Sequence, residues 1–423
     1  MRPRTLADWL DWAQRQHRRA IALGLARVAK IWTRLGPHGL SCPVLTVAGT
    51  NGKGSCVALA EAIYQAAGYR TGVYSSPHLL RYNERVRVDG AEVDDAALCE
   101  AFARVEAARG DTELTYFEFG TLAALDLFAR AGLDLVILEV GLGGRLDAVN
   151  LIDADVALVT TIGRDHMAWL GEDPNDIALE KAGIFRAGRP ALIGQRQAPP
   201  ALRARPEALG APVFQLGREF DWRPGDDPGA WSWTGPDRTR LTLPHPALRG
   251  PAQLDNAATV LMAVNRLADR LSVPLNAMRQ GLHRVRLRGR FEVRPGRPTW
   301  ILDVAHNGDA AEILAGNVKT LGRDGRLHAV LAVLADKEPE AIAGPLVPLV
   351  DHWHLGQTSD PRALPVAELA EALGRLVDST RINHHATIDA ALDGATQAAY
   401  PDDRILVFGS FTTVEAALRR LGA

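Results

Sequence analysis

Short runs of Val, Ile and Leu alternate with longer Ala-rich stretches of helical spacing through the first half of the chain, a pattern that predicts buried parallel strands joined by crossover helices. The runs are "VLTVAG" (44–49), "TGVYSS" (71–76), "DLVILEVG" (134–141), "VALVTTIG" (156–163) and "PALIG" (190–194). Between residues 218 and 250 the chain is dense in Trp, Pro, Gly and Asp. Three tryptophans are costly to leave in water, so antiparallel strands and turns are expected there rather than disorder. Helical spacing resumes at "QLDNAATVLMAVNRLADRL" (253–271), and a second α/β series follows the basic stretch "HRVRLRGRFE" (283–292). Its expected strands are "TWILDVAH" (299–306), "LHAVLAVLA" (327–335), "HWHLG" (352–356) and "RILVFGS" (404–410). A chain of 423 residues is too long for one typical core, so two domains are predicted, 1–286 and 287–423.

Composition narrows the partners. An apolar share of 47% and a charged share of 23% are ordinary for a globular protein, and a net charge of -2 leaves no basic footprint for nucleic acid. Cys42, Cys56 and Cys99 are few, odd in number and not spaced as a metal knuckle, which fits a reducing cytoplasm. No apolar run reaches the length of a membrane span, and no apolar helix is left to drive association, so a cytoplasmic, unanchored monomer is expected.

The stretch "VLTVAGTNGKGSCVALAEAI" (44–63) carries the first chemistry. Gly49 and Gly52 are too close, and Gly54 separates Lys53 from Ser55, so the usual phosphate-loop pattern fails. Yet an apolar run enters the glycines and Val57, Ala60, Ile63, Tyr64 and Ala67 keep one helical face until Gly68. Strand, glycine loop and helix N-terminus together make an anion cradle, Lys53 adds a point charge, and Ser55 can reach a magnesium ion. A tight turn accounts equally for a bare glycine cluster; the Lys and Ser favour the phosphate. Glu139 and His166 follow predicted strands, where doubly wound sheets gather ligand-binding groups. Taken singly, Glu139 reads as well as a solvated carboxylate, His166 as a structural histidine, Lys181 as a surface cation and Phe117 as core.

Assembled, these residues resemble the Mur ligase superfamily, and within it the branch that makes and lengthens folates. The motifs are "TVAGTNGKGS", "GVYSSPHLLRYNERVRVDG", "LTYFEFGTLAAL", "VILEVGLGGRLDAVN", "IGRDHMAWLG", "EKAGIFR", "LDNAATV", "GRFE" and "LDVAHN", in family order. The resemblance implies an α/β fold with an N-terminal P-loop, Mur-ligase-type ATPase domain on a mostly parallel sheet and a C-terminal Rossmann-like α/β domain. It implies a ligase that activates a carboxylate with ATP to an acyl phosphate, which an amine then displaces. The implied substrates are ATP, L-glutamate, 7,8-dihydropteroate and reduced folates.

By the same likeness, Asn51, Gly52, Lys53, Gly54 and Ser55 hold the phosphates, Asn256 the adenine, and Arg290, Asp303 and His306 reach ATP from the C-terminal domain. Ser55, Ser76, Glu139, His166 and Lys181 serve two magnesium ions, Lys181 as a carbamate, with K+ as a further expected ion; Lys53, His166 and Lys181 form the catalytic set. Leu23, Thr115, Tyr116, Phe117, Glu118, Leu146, Asp147 and Ala148 line the pterin, Asp147 pairing with its nitrogens. The glutamate seat is sought near His306, Ala335 and Ser410. Three positions depart from the family pattern. Gly308 stands where Pro is expected and loosens that turn, Ala22 stands where an acidic residue occurs, and Arg164 stands where an apolar residue is expected. Three rival readings remain: a polyglutamate enzyme without dihydropteroate activity, a cell-wall peptide synthetase, and a nucleotide switch without ligation.

Overall fold

Strands β1 (Val44–Ala48) and β5 (Leu135–Glu139) are buried at every position, which is why both read as unbroken apolar runs rather than as alternating ones. In the computed structural model, which describes residues 3–17, 21–36, 39–322 and 324–422, they lie side by side in parallel. The other strands of their sheet are β2 (Thr71–Tyr74), β3 (Val86–Val88), β4 (Ala91–Glu92), β6 (Val156–Val159), β7 (Ala191–Ile193) and β8 (Val213–Gln215). The order is β4-β3-β2-β5-β1-β6-β7-β8, with the β2–β3 and β3–β4 pairings antiparallel and all others parallel. Its core combines Val136, Leu138 and Val159 with Leu98, Phe102, Phe119 and Leu122 from the helices.

The Trp-rich segment forms a three-stranded antiparallel sheet of β9 (Asp221–Pro224), β10 (Ala230–Thr234) and β11 (Arg240–Pro244). Burial alternates along β10, and each indole N–H finds an acceptor: Trp222 at Asp255 Oδ1 (2.7 Å), Trp231 at the Pro244 carbonyl (2.8 Å) and Trp233 at the Ala258 carbonyl (3.0 Å).

The chain divides into two compact units. One takes described residues up to 163, 167–247 and 253–285; the other takes 164–166, 248–252 and 286–422. Two short excursions, 164–166 and 248–252, thus sit with the C-terminal residues, which a single boundary does not express. The second unit holds β12 (Glu292–Arg294), β13 (Thr299–Leu302), β14 (Leu327–Leu331), β15 (His352–Leu355), β16 (Ile382–His384) and β17 (Arg404–Phe408), in the order β12-β13-β17-β14-β15-β16. All its pairings are parallel except β12 with β13. Its core centres on Ile301, Leu331, Trp353, Leu369 and Phe408. The expected strands are shorter: "LHAVLAVLA" leaves the parallel sheet after Leu331, beyond which Val333 to Ala335 bond to residues 362–364, and the regular strand of "TWILDVAH" ends at Leu302. Among the described residues no helix is long and apolar enough to cross a membrane.

A line of imidazoles crosses these strands, from His328 near the start of β14 through His354 in β15 to His385 just past the end of β16. His328 Nδ1 lies 3.3 Å from His354 Nε2, His354 Nδ1 lies 3.3 Å from His385 Nε2, and His328 Nε2 lies 3.4 Å from Asp403 Oδ2. The His352 ring stacks on that of His328 at 5.0 Å, and helix Ile388–Ala398 covers the line so closely that a methyl group on Gly394 would meet His385 at 2.4 Å. Burial and the neighbouring imidazoles depress all three: His354 to about 3, His328 against the pull of Asp403 and Asp351, and His385 beside His384. Each pKa is lower folded than unfolded, so the unfolded chain gains protons first as pH falls below about 6.5, and stability present above that pH is lost towards the folded values. By pH 5 the loss from His354 alone is about 2 kcal/mol. Thermal unfolding of the second unit should therefore move to lower temperature between about pH 7 and pH 5, and less so in His354→Gln; equal slopes for the two proteins would show that this line does not govern acid stability.

Candidate active site

Two backbone positions shape the glycine loop. Gly49 has φ 144°, and a Cβ there would lie 1.8 Å from Thr160 Oγ1; Gly52 has φ 88°, and a Cβ there would lie 2.7 Å from Asn256 Oδ1. The end of β6 braces what lies between. Thr160 Oγ1 donates to the Asn51 carbonyl (2.6 Å), the Asn51 N–H donates to Thr161 Oγ1 (3.1 Å), and the Thr50 N–H donates to the Thr161 carbonyl (2.7 Å). Gly52 is the N-cap of helix Lys53–Ala66 and provides no side-chain cap, which leaves the first turn's N–H groups facing the loop.

Two ammonium groups converge on one carbonyl. Lys53 Nζ donates to Gly49 O (2.9 Å) and Thr50 O (3.0 Å), and Lys181 Nζ donates to Gly49 O (3.1 Å). Lys181 is buried at the last position of helix Pro174–Lys181, which places its cation inside the fold rather than on the surface. Glu139, buried at the end of β5, pairs in register with Val47 of β1 and accepts the Ser76 N–H at 3.3 Å. Ser55, Ser76 and Glu139 thus stand at the carboxyl ends of three adjacent parallel strands, β1, β2 and β5. Hydroxyl and carboxylate oxygens are the donors a hard cation takes, and magnesium uses few protein ligands when phosphates supply the rest. Among the described residues no three His, Cys, Asp or Glu side chains cluster as a metal site. His166 falls in the second unit, with a positive φ of 54° and an exposed side chain.

Asn256 lies over the loop from helix Ala252–Arg266; its Oδ1 takes the Cys56 thiol at 3.6 Å and its Nδ2 donates to Gln253. The expected pterin residues gather nearby in the same unit. Thr115 and Glu118 form a capping box at helix Tyr116–Arg130, and Phe117 lies against the backbone of Gly141, where a Cβ would meet its ring at 2.6 Å. Tyr116 stands beside the Arg85 guanidinium, which is 5.6 Å from its ring centre. Ala148 is buried, and the Leu146 carbonyl accepts the Gly24 N–H at 3.3 Å, which ties in the segment of Leu23. Asp147 has a further role that its sequence position did not announce. Its carboxylate accepts the N–H groups of Gly141 (3.0 Å), Leu142 (2.9 Å) and Val149 (3.0 Å), and burial pushes its pKa up to about 6 against those bonds. It is the pin of the loop from Gly141 to Val149.

In the second unit, Asp303 accepts the N–H groups of Phe291 (2.7 Å) and Ala305 (2.8 Å); burial raises its pKa while Arg290 opposes the rise. The Arg290 guanidinium lies 5.3 Å from the centre of the Phe411 ring, which His306 also approaches at 6.0 Å. Asp165 is a residue sequence reasoning passed over. It receives Lys337 Nζ at 2.6 Å, His306 Nε2 at 3.3 Å and Asn307 Nδ2 at 3.4 Å. Its burial is outweighed by His306, His166 and Lys337, which hold the carboxyl far below its usual range. The fourth residue of "IGRDH" was the available signal. Ser410, near which the glutamate seat was sought, joins Thr412, Thr413 and Thr358, which sequence reasoning passed over, in a hydroxyl cluster at the start of helix Phe411–Arg420. Gly308 turns out to be the first residue of helix Gly308–Thr320, behind an Asn307 cap that accepts the Ala310 N–H, so this turn is held without proline. Nothing in the structure explains Arg164.

The whole chain has close relatives. Residues 47–195 match the Mur ligase middle domain, and residues 289–411 match the Mur ligase, glutamate ligase domain. The dihydrofolate synthase/folylpolyglutamate synthase of Escherichia coli (strain K12) is 44% identical over 99% of this chain and 96% of its own length. The solved E. coli FolC in complex with DHPP and ADP superposes with a TM-score of 0.92 at 42% identity, covering 99% of this chain and 98% of that one. A bifunctional folylpolyglutamate synthase/dihydrofolate synthase with Mn, AMPPNP and L-glutamate bound gives a TM-score of 0.91 at 42% identity, over 99% and 98% of the two chains. With a phosphate loop of the Mur spacing, oxygen donors beside it and full-length likeness on both counts, the chain belongs to the dihydrofolate synthase/folylpolyglutamate synthase family of Mur ligases.

Proposed function

We propose that this protein is an ATP-dependent amide ligase that joins L-glutamate to 7,8-dihydropteroate and adds further glutamates to reduced folates through an acyl phosphate. The observation that carries the reading is the convergence of Lys53 and Lys181 on the Gly49 carbonyl, beside the buried Glu139, at the N-terminus of helix Lys53–Ala66. A loop that already gathers two cations and a row of helix N–H groups is built for the outer phosphates of a nucleotide. Asn51 to Ser55 bind those phosphates and Asn256 orients the base; Arg290, Asp303 and His306 remain assigned to nucleotide binding. Ser55, Ser76 and Glu139 are the ligands assigned to magnesium, with His166 proposed as a further one. Bound magnesium supplies charge that offsets the transferring phosphoryl group, and Lys53 adds to it, so the protein's part is position and electrostatics. No nucleophilic Ser or Cys is needed.

Lys181 is proposed to carry a carbamate. A buried ammonium next to oxygen ligands is a poor metal neighbour, whereas the carbamate presents oxygen. Leu23, Thr115 to Glu118 and Leu146 to Ala148 form the pterin wall, with Phe117 as its aromatic face. Residues 1–286 are assigned to ATP and pterin, and 287–423 to the glutamate-ligase domain. The protein is further proposed to be a cytoplasmic monomer, with K+ as an additional ion.

The reading is tested by phosphate release with Mg-ATP and L-glutamate, dihydropteroate and tetrahydrofolate being compared as second substrate and products identified by mass. Turnover of both is expected; turnover of tetrahydrofolate alone would reduce the protein to a polyglutamate enzyme, and of neither would end the folate reading. Lys53→Ala should lower kcat by roughly 10²–10³-fold with an unchanged melting temperature, as for loss of one preorganised donor to a charged transition state. Near-normal kcat in that variant would remove the phosphate role. Lys181→Ala should be inactive and regain part of its rate with added short carboxylates, while native mass measurement of the parent should show one added carbon dioxide; full activity of the variant would exclude the carbamate.

A further inference from the structure

The wall assigned to the pterin comes from three segments far apart in the chain: residues 22–24, the first turn of helix Tyr116–Arg130, and the loop of Leu146 to Ala148. We propose that Arg27, which is not part of that wall, is the positioning residue that holds the three together and so sets the affinity for dihydropteroate. The proposal rests on the pterin assignment above.

Arg27 lies in the first turn of helix Ala26–Leu35, whose N-cap, Leu25, offers no side-chain cap, so the helix start has no local fixing of its own. Its guanidinium works in two directions. Nε meets Glu118 Oε1 at 2.7 Å, with side chains 26% and 5% exposed, and among the described residues each of these two buried atoms has only the other. Nη2 donates to the Ala22 carbonyl, beside Leu23. Glu118 in turn divides its carboxylate. The oxygen not facing Arg27 accepts the N–H and the hydroxyl of Thr115, both at 2.9 Å, which closes the capping box on either side of Phe117. The Gly24 N–H, between Leu23 and Arg27, donates to the Leu146 carbonyl at 3.3 Å. One guanidinium and one backbone bond therefore connect the Leu23 segment to both other parts of the wall. This also gives Ala22 a physical place: where an acidic side chain is missing, its carbonyl is the group engaged.

Loss of Arg27 leaves a buried carboxylate oxygen without its counter-charge and lets go of residues 22–24 at the same time. The reacting carboxylate, ATP and the phosphate loop are untouched, so the effect should fall on dihydropteroate binding. Steady-state kinetics of the full chain should show Arg27→Ala raising KM for dihydropteroate about tenfold or more, with kcat and KM for ATP within about twofold of the parent. Arg27→Lys keeps the charge but cannot reach Glu118 and Ala22 together, and should recover part of the loss. Adding Glu118→Gln to Arg27→Ala should cost much less than the sum of the single changes. If Arg27→Ala does not fold, Arg27→Lys carries the test, with an intermediate rise in KM expected and an unchanged KM fatal. A parent chain that turns over dihydropteroate beside an Arg27→Ala variant with unchanged KM overturns the proposal alone, as does an equal rise in KM for ATP. A parent chain inert with dihydropteroate overturns the pterin reading and the proposal with it.

Discussion

One carbonyl oxygen, that of Gly49, governs the architecture of the first unit. Two buried or half-buried lysines donate to it. The loop around it must be rigid enough to hold the cations close, and the threonines at the end of β6 make it so, through bonds to Asn51 and Thr50 on either face. The strand order follows from the same need. Placing β5 next to β1 brings Glu139 to the level of Val47, two residues before Gly49.

Much of this was legible in the chain because the chemistry is contiguous. Gly49 to Ser55 lie within seven residues, and the strand before and helix after them are long enough to show their periods. Short strands without a period were not legible. β3, β4, β8, β12 and β16 are two or three residues long and take their identity from neighbours in the sheet, not from their own pattern. The Trp-rich segment was readable for the opposite reason, since only a pairing sheet could bury its indoles.

Ion pairs between distant segments escaped altogether. Arg27 and Glu118 meet across 91 positions, Asp165 and Lys337 across 172, and nothing in local spacing marks one member for the other. Asp147 shows a subtler limit. Its place in a loop beside the site suggests a ligand contact, yet a buried carboxylate ringed by three backbone N–H groups is first of all a structural acceptor. Residue type and position pointed to the right loop, while the job of the side chain depended on which N–H groups the fold turned towards it.

The small tryptophan sheet has a consequence for observing this protein. Trp222 is bonded to Asp255 and Trp233 to the carbonyl of Ala258, so two indoles grip the helix one residue before and two residues after Asn256. Asn256 itself leans on Gly52 at the lip of the loop. The splint that keeps this asparagine in place is therefore made of fluorophores, and any shift of the helix alters the surroundings of an indole ring. The chain carries its own optical gauge, built from residues whose first task is to stay dry.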